Sequence, residues 1–168
     1  IEYFDGEFVV NEGKYNKKAV VCNGKLICVS QIDKSNTEGR IHKISEIDNN
    51  ISILGDACFY RHVNMRRIDI SSNVTHVGDN AFEGCENLYE VHFDGTEPPT
   101  IGNDVFKNVE TDFKIFVPES SFEKYHNTWA STSSYASYKD HIYPKPTDDS
   151  IIYYTDDSIK IDNQTYVE

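Results

Sequence analysis

Along the middle of the chain, apolar residues recur two apart in short runs separated by polar stretches. In Leu88-Tyr89-Glu90-Val91-His92-Phe93 the strand period of two sends Val91 and Phe93 to one side and Glu90 and His92 to the other. Met65-Arg66-Arg67-Ile68-Asp69-Ile70 repeats the arrangement, and Ile115-Phe116-Val117 repeats it again. Between these runs, Val77-Gly78 and Ala81-Phe82 supply a second apolar cluster for the opposite side. The segment from Ile47 to Phe59 lies on the segment from Ile70 to Phe82 at a spacing of 23 residues, and a third copy opens at Ile101, one residue out of step. Units this small bury an apolar face only by stacking on their neighbours, so the pattern predicts a solenoid with parallel strands about 4.8 Å apart. Phe59, Phe82 and Phe106 are expected to stack in a column, and Gly55, Gly78 and Gly102 to mark sharp turns.

The run Val77-Gly78-Asp79-Asn80-Ala81-Phe82-Glu83-Gly84-Cys85-Glu86-Asn87-Leu88-Tyr89-Glu90-Val91-His92-Phe93 resembles the BspA-type leucine-rich repeat of bacterial surface proteins. Gly95 to Ile101 and Phe116 to Tyr125 resemble that family's last repeat and terminating segment. Asp5-Gly6-Glu7-Phe8, with Cys22-Asn23-Gly24-Lys25-Leu26, resembles its upstream hairpin region, so the resemblance covers roughly residues 4 to 143. The first full unit departs at its turn, with Arg61-His62 where the second has Gly84-Cys85. The expected fold is a repeat solenoid of leucine-rich-repeat type, strand-dominated α/β, with a short parallel sheet, 23–24-residue coils and a cap at each end.

Four segments follow. Residues 1–36 form an N-terminal β-hairpin cap, since Asn23-Gly24 between two apolar runs supplies the positive φ angles of a tight turn. Residues 37–117 hold the repeat coils, with Ile41 and Ile44 echoing Met65 and Ile68. Residues 118–143 form a C-terminal helical cap: Ser120-Ser121-Phe122-Glu123 reads as a capping box, and Phe122, Tyr125, His126 and Trp129 fall on one helical stripe that packs on the last coil. Residues 144–168 are a polar tail or the start of a further module; in it, Asp149-Ser150-Ile151 and Asp157-Ser158-Ile159 resemble an O-glycosylation acceptor of Bacteroidetes secreted proteins.

Charge narrows the partners. A formal net charge of −12 repels nucleic-acid phosphates and anionic membrane surfaces, and no apolar run is long enough to span a membrane. The chain begins at Ile1 without a recognisable leader, as a processed or trimmed chain would.

No phosphate loop, nucleophile elbow or zinc-protease helix is present, so no catalytic activity and no cofactor are expected. Stacking would bring Cys58, His62 and Cys85 near one another, but three ligands make a poor zinc site; they are expected as core filler, with no metal. Across the hairpin turn, Cys22 should pair with Lys25 and Cys28 with Ala19, so the two cysteines are not facing partners.

The outward strand positions carry the functional expectation. Arg67, Glu90 and Lys114 form one predicted column, a ladder of cross-strand charge pairs in a solvated face; Asp69, His92 and Phe116 form a second, suited to contact a partner. The resemblance implies an adhesion or protein-binding module of a secreted or cell-surface protein, with a host matrix or cell-surface protein as partner. A structural spacer inside a longer surface protein, or a glycan-binding module using Phe116, Tyr89 and Tyr60, are the other readings.

Overall fold

The computed structural model describes residues 2–10, 13–29, 41–43, 50–131, 138–145, 152–155 and 158–161. Its strands build two main sheets that the chain visits alternately. In the first, β1 (Glu2–Val10), β2 (Gly13–Cys22) and β3 (Lys25–Val29) run antiparallel. The short strands β5 (Ile53–Leu54), β7 (His76–Val77) and β9 (Thr100–Ile101) then extend it in parallel from β3. The second sheet is parallel throughout. Its members are β4 (Ile41–Lys43), β6 (Arg67–Ile70), β8 (Glu90–Phe93), β10 (Lys114–Val117) and β11 (Ile142–Pro144), in the spatial order β11-β10-β8-β6-β4. One helix, α1 (Phe122–Ala130), lies between β10 and β11 in the chain, and β12 (Ile152–Thr155) pairs with β13 (Ser158–Ile161) as a separate hairpin.

The register explains the repeat. Ile68, Val91, Ile115 and Ile142 stand level across the second sheet and are all buried, as are Ile70, Phe93 and Val117 one step on. Leu26, Leu54, Val77 and Ile101 form the matching row of the first sheet. Beyond them Phe82 stacks on Phe59 at 5.4 Å and on Phe106 at 5.6 Å, so the expected aromatic column is present.

The glycines work differently from the expectation. Gly55, Gly78 and Gly102 do not take positive φ; they sit where adjacent units press together. A Cβ on Gly78 would lie 2.4 Å from the Asp56 carboxylate and 2.6 Å from its backbone nitrogen, and one on Gly102 would meet Asp79 in the same way. That close approach carries a ladder, in which the Asp79 amide donates to Asp56 Oδ1 at 3.0 Å and the Asn103 amide to Asp79 Oδ1 at 2.6 Å. Left-handed backbone falls instead on two other columns, Ala57, Asn80 and Asp104, then Arg61, Gly84 and Asn108. Arg61 therefore makes the same turn as Gly84 despite its side chain.

The ends also correct the sequence reading in places. Asn23 and Gly24 both have positive φ, as a two-residue hairpin turn requires. A bulge beyond Val20 shifts the register, so Cys28 faces Val20 rather than Ala19. At β4 it is His42, not Ile44, that lies level with Ile68, so 26 residues separate these partners against the 23 between Ile68 and Val91. Helix α1 has no side-chain cap: a 3-10 turn at Glu119–Ser121 leads straight into it, so Ser120 is inside that turn and the expected capping box does not form. Its stripe does pack inward, with Tyr125 and Trp129 buried on Phe93 and donating to the Gly95 and Pro99 carbonyls at 2.8 and 3.2 Å. Strand β11 continues the second sheet beyond the helix, across the boundary expected at residue 143. The tail contains the β12–β13 hairpin, and the motif at 149–151 lies outside the described residues.

Candidate functional site

The outward side chains of the second sheet meet as expected in register, with Arg67, Glu90 and Lys114 in one row and Asp69, His92 and Phe116 in the next. Their exposure is a correction. Glu90, His92 and Phe116 are buried, at 0%, 6% and 1% of their full accessibility, so the face is not the solvated strip that alternation predicts. Parity decides which side of a strand a residue leaves from, and neighbours decide whether water reaches it. Strand β8 is the middle of five, so its outward side chains have β6 and β10 on either flank at about 4.8 Å.

These groups form one linked network. Arg67 Nε donates to Asp69 Oδ1 at 2.6 Å and its NH2 group to Oδ2 at 3.2 Å, a two-pronged pairing that fixes the guanidinium plane. Arg67 also approaches Glu90 Oε2 at 4.0 Å, and His92 Nε2 donates to that same oxygen at 2.8 Å. A carboxylate removed from water needs such partners, because desolvation otherwise costs several kcal/mol. The His92 ring lies 4.8 Å from Phe116, which in turn lies 6.2 Å from Tyr143 on β11.

The charge ladder is only half made. Lys114 stands level with Glu90, yet its ammonium lies over the Tyr143 ring, 5.4 Å from the centroid. Among the described side chains of this face, those that reach solvent are Arg67, with 30% of its side chain exposed, Asp69 with 15%, half-buried Lys114, and Tyr143 at 40%. Tyr143 was missed as a candidate. Its signal was available, since His141-Ile142-Tyr143-Pro144 repeats the apolar-outward-apolar order of Lys114-Ile115-Phe116-Val117. Of the other aromatic candidates, Tyr60 is 41% exposed beside Arg61, and Tyr89 is half-buried.

The cysteine and histidine column is packed rather than open. Cys58, His62 and Cys85 are buried; His62 Nε2 lies 3.0 Å from the Val29 carbonyl oxygen, and Cys85 Sγ donates to the Phe59 carbonyl at 3.1 Å. Burial pushes the Cys85 thiol up to about 12 and the Cys58 thiol higher still, so neither is a ready thiolate. Among the described residues no three His, Cys, Asp or Glu side chains are grouped to hold a metal.

The model of the BspA type leucine rich repeat region matches the chain in six copies over residues 32–136. The chain belongs to this family. The match takes in helix α1 and reaches back to residue 32, inside the stretch expected to be cap. A search of curated proteins finds no significant match. BspA-type leucine-rich repeats suggest a protein-interaction module, are generally non-catalytic and are typical of surface or secreted proteins. No helix among the described residues is long and apolar enough to cross a membrane.

Proposed function

We propose that this chain is a non-catalytic, protein-binding module of a secreted or cell-surface protein, in which a capped solenoid of repeats holds the second sheet rigid and the outward face of that sheet meets the partner. The observation that carries this reading is the single network running from Asp69 through Arg67, Glu90 and His92 to Phe116 and Tyr143. Its floor is buried and interlocked, so the accessible groups Arg67, Lys114 and Tyr143 are presented from a fixed base. Side chains ordered before binding lose less entropy on contact. The partner is a matrix or cell-surface protein. A glycan platform is less well supported, because Phe116, one of its three rings, is buried.

The test is a screen of immobilised matrix and cell-surface proteins followed by Arg67→Ser, Lys114→Ser and Tyr143→Ser combined. Loss of binding by a variant that still folds, as circular dichroism and cooperative unfolding show, supports the reading. Undiminished binding by the triple variant moves the site elsewhere on the repeats, and a screen with no retained protein favours a structural spacer.

A further inference from the structure

Acids outnumber bases 28 to 16 on this chain, and four of the described basic side chains are matched by acids. Lys107 meets Glu83 and Asp104, Lys124 meets Glu97, Lys145 meets Asp94, and Arg67 meets Asp69 and Glu90. Lys114 has no carboxylate within ion-pair distance among the described residues, although its register neighbour is one. The acid that would pair with it, Glu90, is sealed beneath the face and engaged by Arg67 and His92. Among the described side chains of this face the cations are thus more exposed than the acids Asp69 and Glu90, whereas acids predominate over the whole chain.

We propose that the patch formed by Arg67, Lys114 and Tyr143 binds an acidic, extended polypeptide segment, a proposal that rests on the protein-binding reading of this face. Lys114 and Arg67 are two strands apart, about 10 Å. Carboxylates on alternate residues of an extended segment repeat about every 7 Å on one side, within reach of the flexible Lys114 ammonium and the outer edge of the Arg67 guanidinium. The Tyr143 ring carries the Lys114 ammonium over one face and has the Phe116 ring tilted beside it at 43°, which leaves less of the ring for a sugar to stack on. The segment lies on the face rather than joining the β11 edge beside Tyr143, because Pro144 in that strand has no N–H to offer a new one.

The net charge of −12 gives the interaction a distinctive salt dependence. At 0.01 M salt the screening length is about 30 Å, and the remote acids repel the segment; at 0.15 M it is about 8 Å, and only the local cations act. At 1 M both are screened. The experiment measures fluorescence anisotropy of a labelled decapeptide with glutamate at alternate positions, its lysine counterpart and an oligouronic acid, at these three salt concentrations.

The expected result is binding of the glutamate peptide that is strongest at 0.15 M, weakened about fivefold by Lys114→Ala, the upper end for an exposed ion pair, and retained by Lys114→Arg. Tighter binding of the lysine peptide, an unchanged affinity in Lys114→Ala, or no binding of any probe would overturn the proposal. Preference for the oligouronic acid would overturn its polypeptide identity. If the triple serine variant loses a screened protein partner while the glutamate peptide never binds, the face is a docking site for a different chemistry and only this proposal fails.

Discussion

Phe82→Ala tests the stacking of the repeats at its centre. Phe82 has no accessible surface and lies between two rings at 5.4 and 5.6 Å, with interplanar angles of 12° and 3° to Phe59 and Phe106. Truncating a buried phenylalanine costs about 3–5 kcal/mol in transfer and cavity terms. Two aromatic contacts are lost together, each contributing about 0.5–1.5 kcal/mol, and the buried rings of the neighbouring units on both sides limit collapse, so the upper half of that range is expected. Against a total stability of about 5–15 kcal/mol, this lowers the urea midpoint sharply or leaves the chain partly unfolded. The comparison that isolates the column is Tyr60→Ala, at 41% exposed, with an expected loss under about 1 kcal/mol. Phe116→Ala would not serve as a neutral control, since that ring is buried. Urea unfolding followed by tryptophan fluorescence of Trp129 and by circular dichroism gives the difference. Losses that are small and equal for Phe82 and Tyr60 would refute the register.

Two further outcomes follow from contacts described above. Gly78→Ala should destabilise by about 1–3 kcal/mol in thermal or urea unfolding, because its Cβ has no space against Asp56, whereas Gly95→Ala, whose Cβ would come no nearer than 3.3 Å, should be far milder. In the native protein at pH 8, iodoacetamide should modify exposed Cys28 readily and leave Cys58 and Cys85 unmodified. Raised thiol pKa values mean less thiolate at that pH, and mass spectrometry should find these two labelled only after unfolding.

The repeat itself was legible because its cause is local. Period-two apolar pairs at Ile68 and Ile70, Val91 and Phe93, and Ile115 and Val117 set which side of each strand is inward, and the 23-residue spacing set which strands pair. The Asn23-Gly24 turn was equally readable, since two successive positive φ angles admit few residue types. Three things depended on the assembled units. The glycines at 55, 78 and 102 answer to a neighbouring unit's backbone rather than to their own φ, which no single unit reveals. The parallel part of the first sheet consists of the two-residue strands β5, β7 and β9, too short for a period to show, and it exists because β3 offers them an edge. The outward face was assigned correctly in direction and wrongly in exposure. Alternation along one strand determines direction, while burial of Glu90, His92 and Phe116 comes from β6, β10 and β11 standing beside β8 and one another, an arrangement that only the tertiary structure supplies.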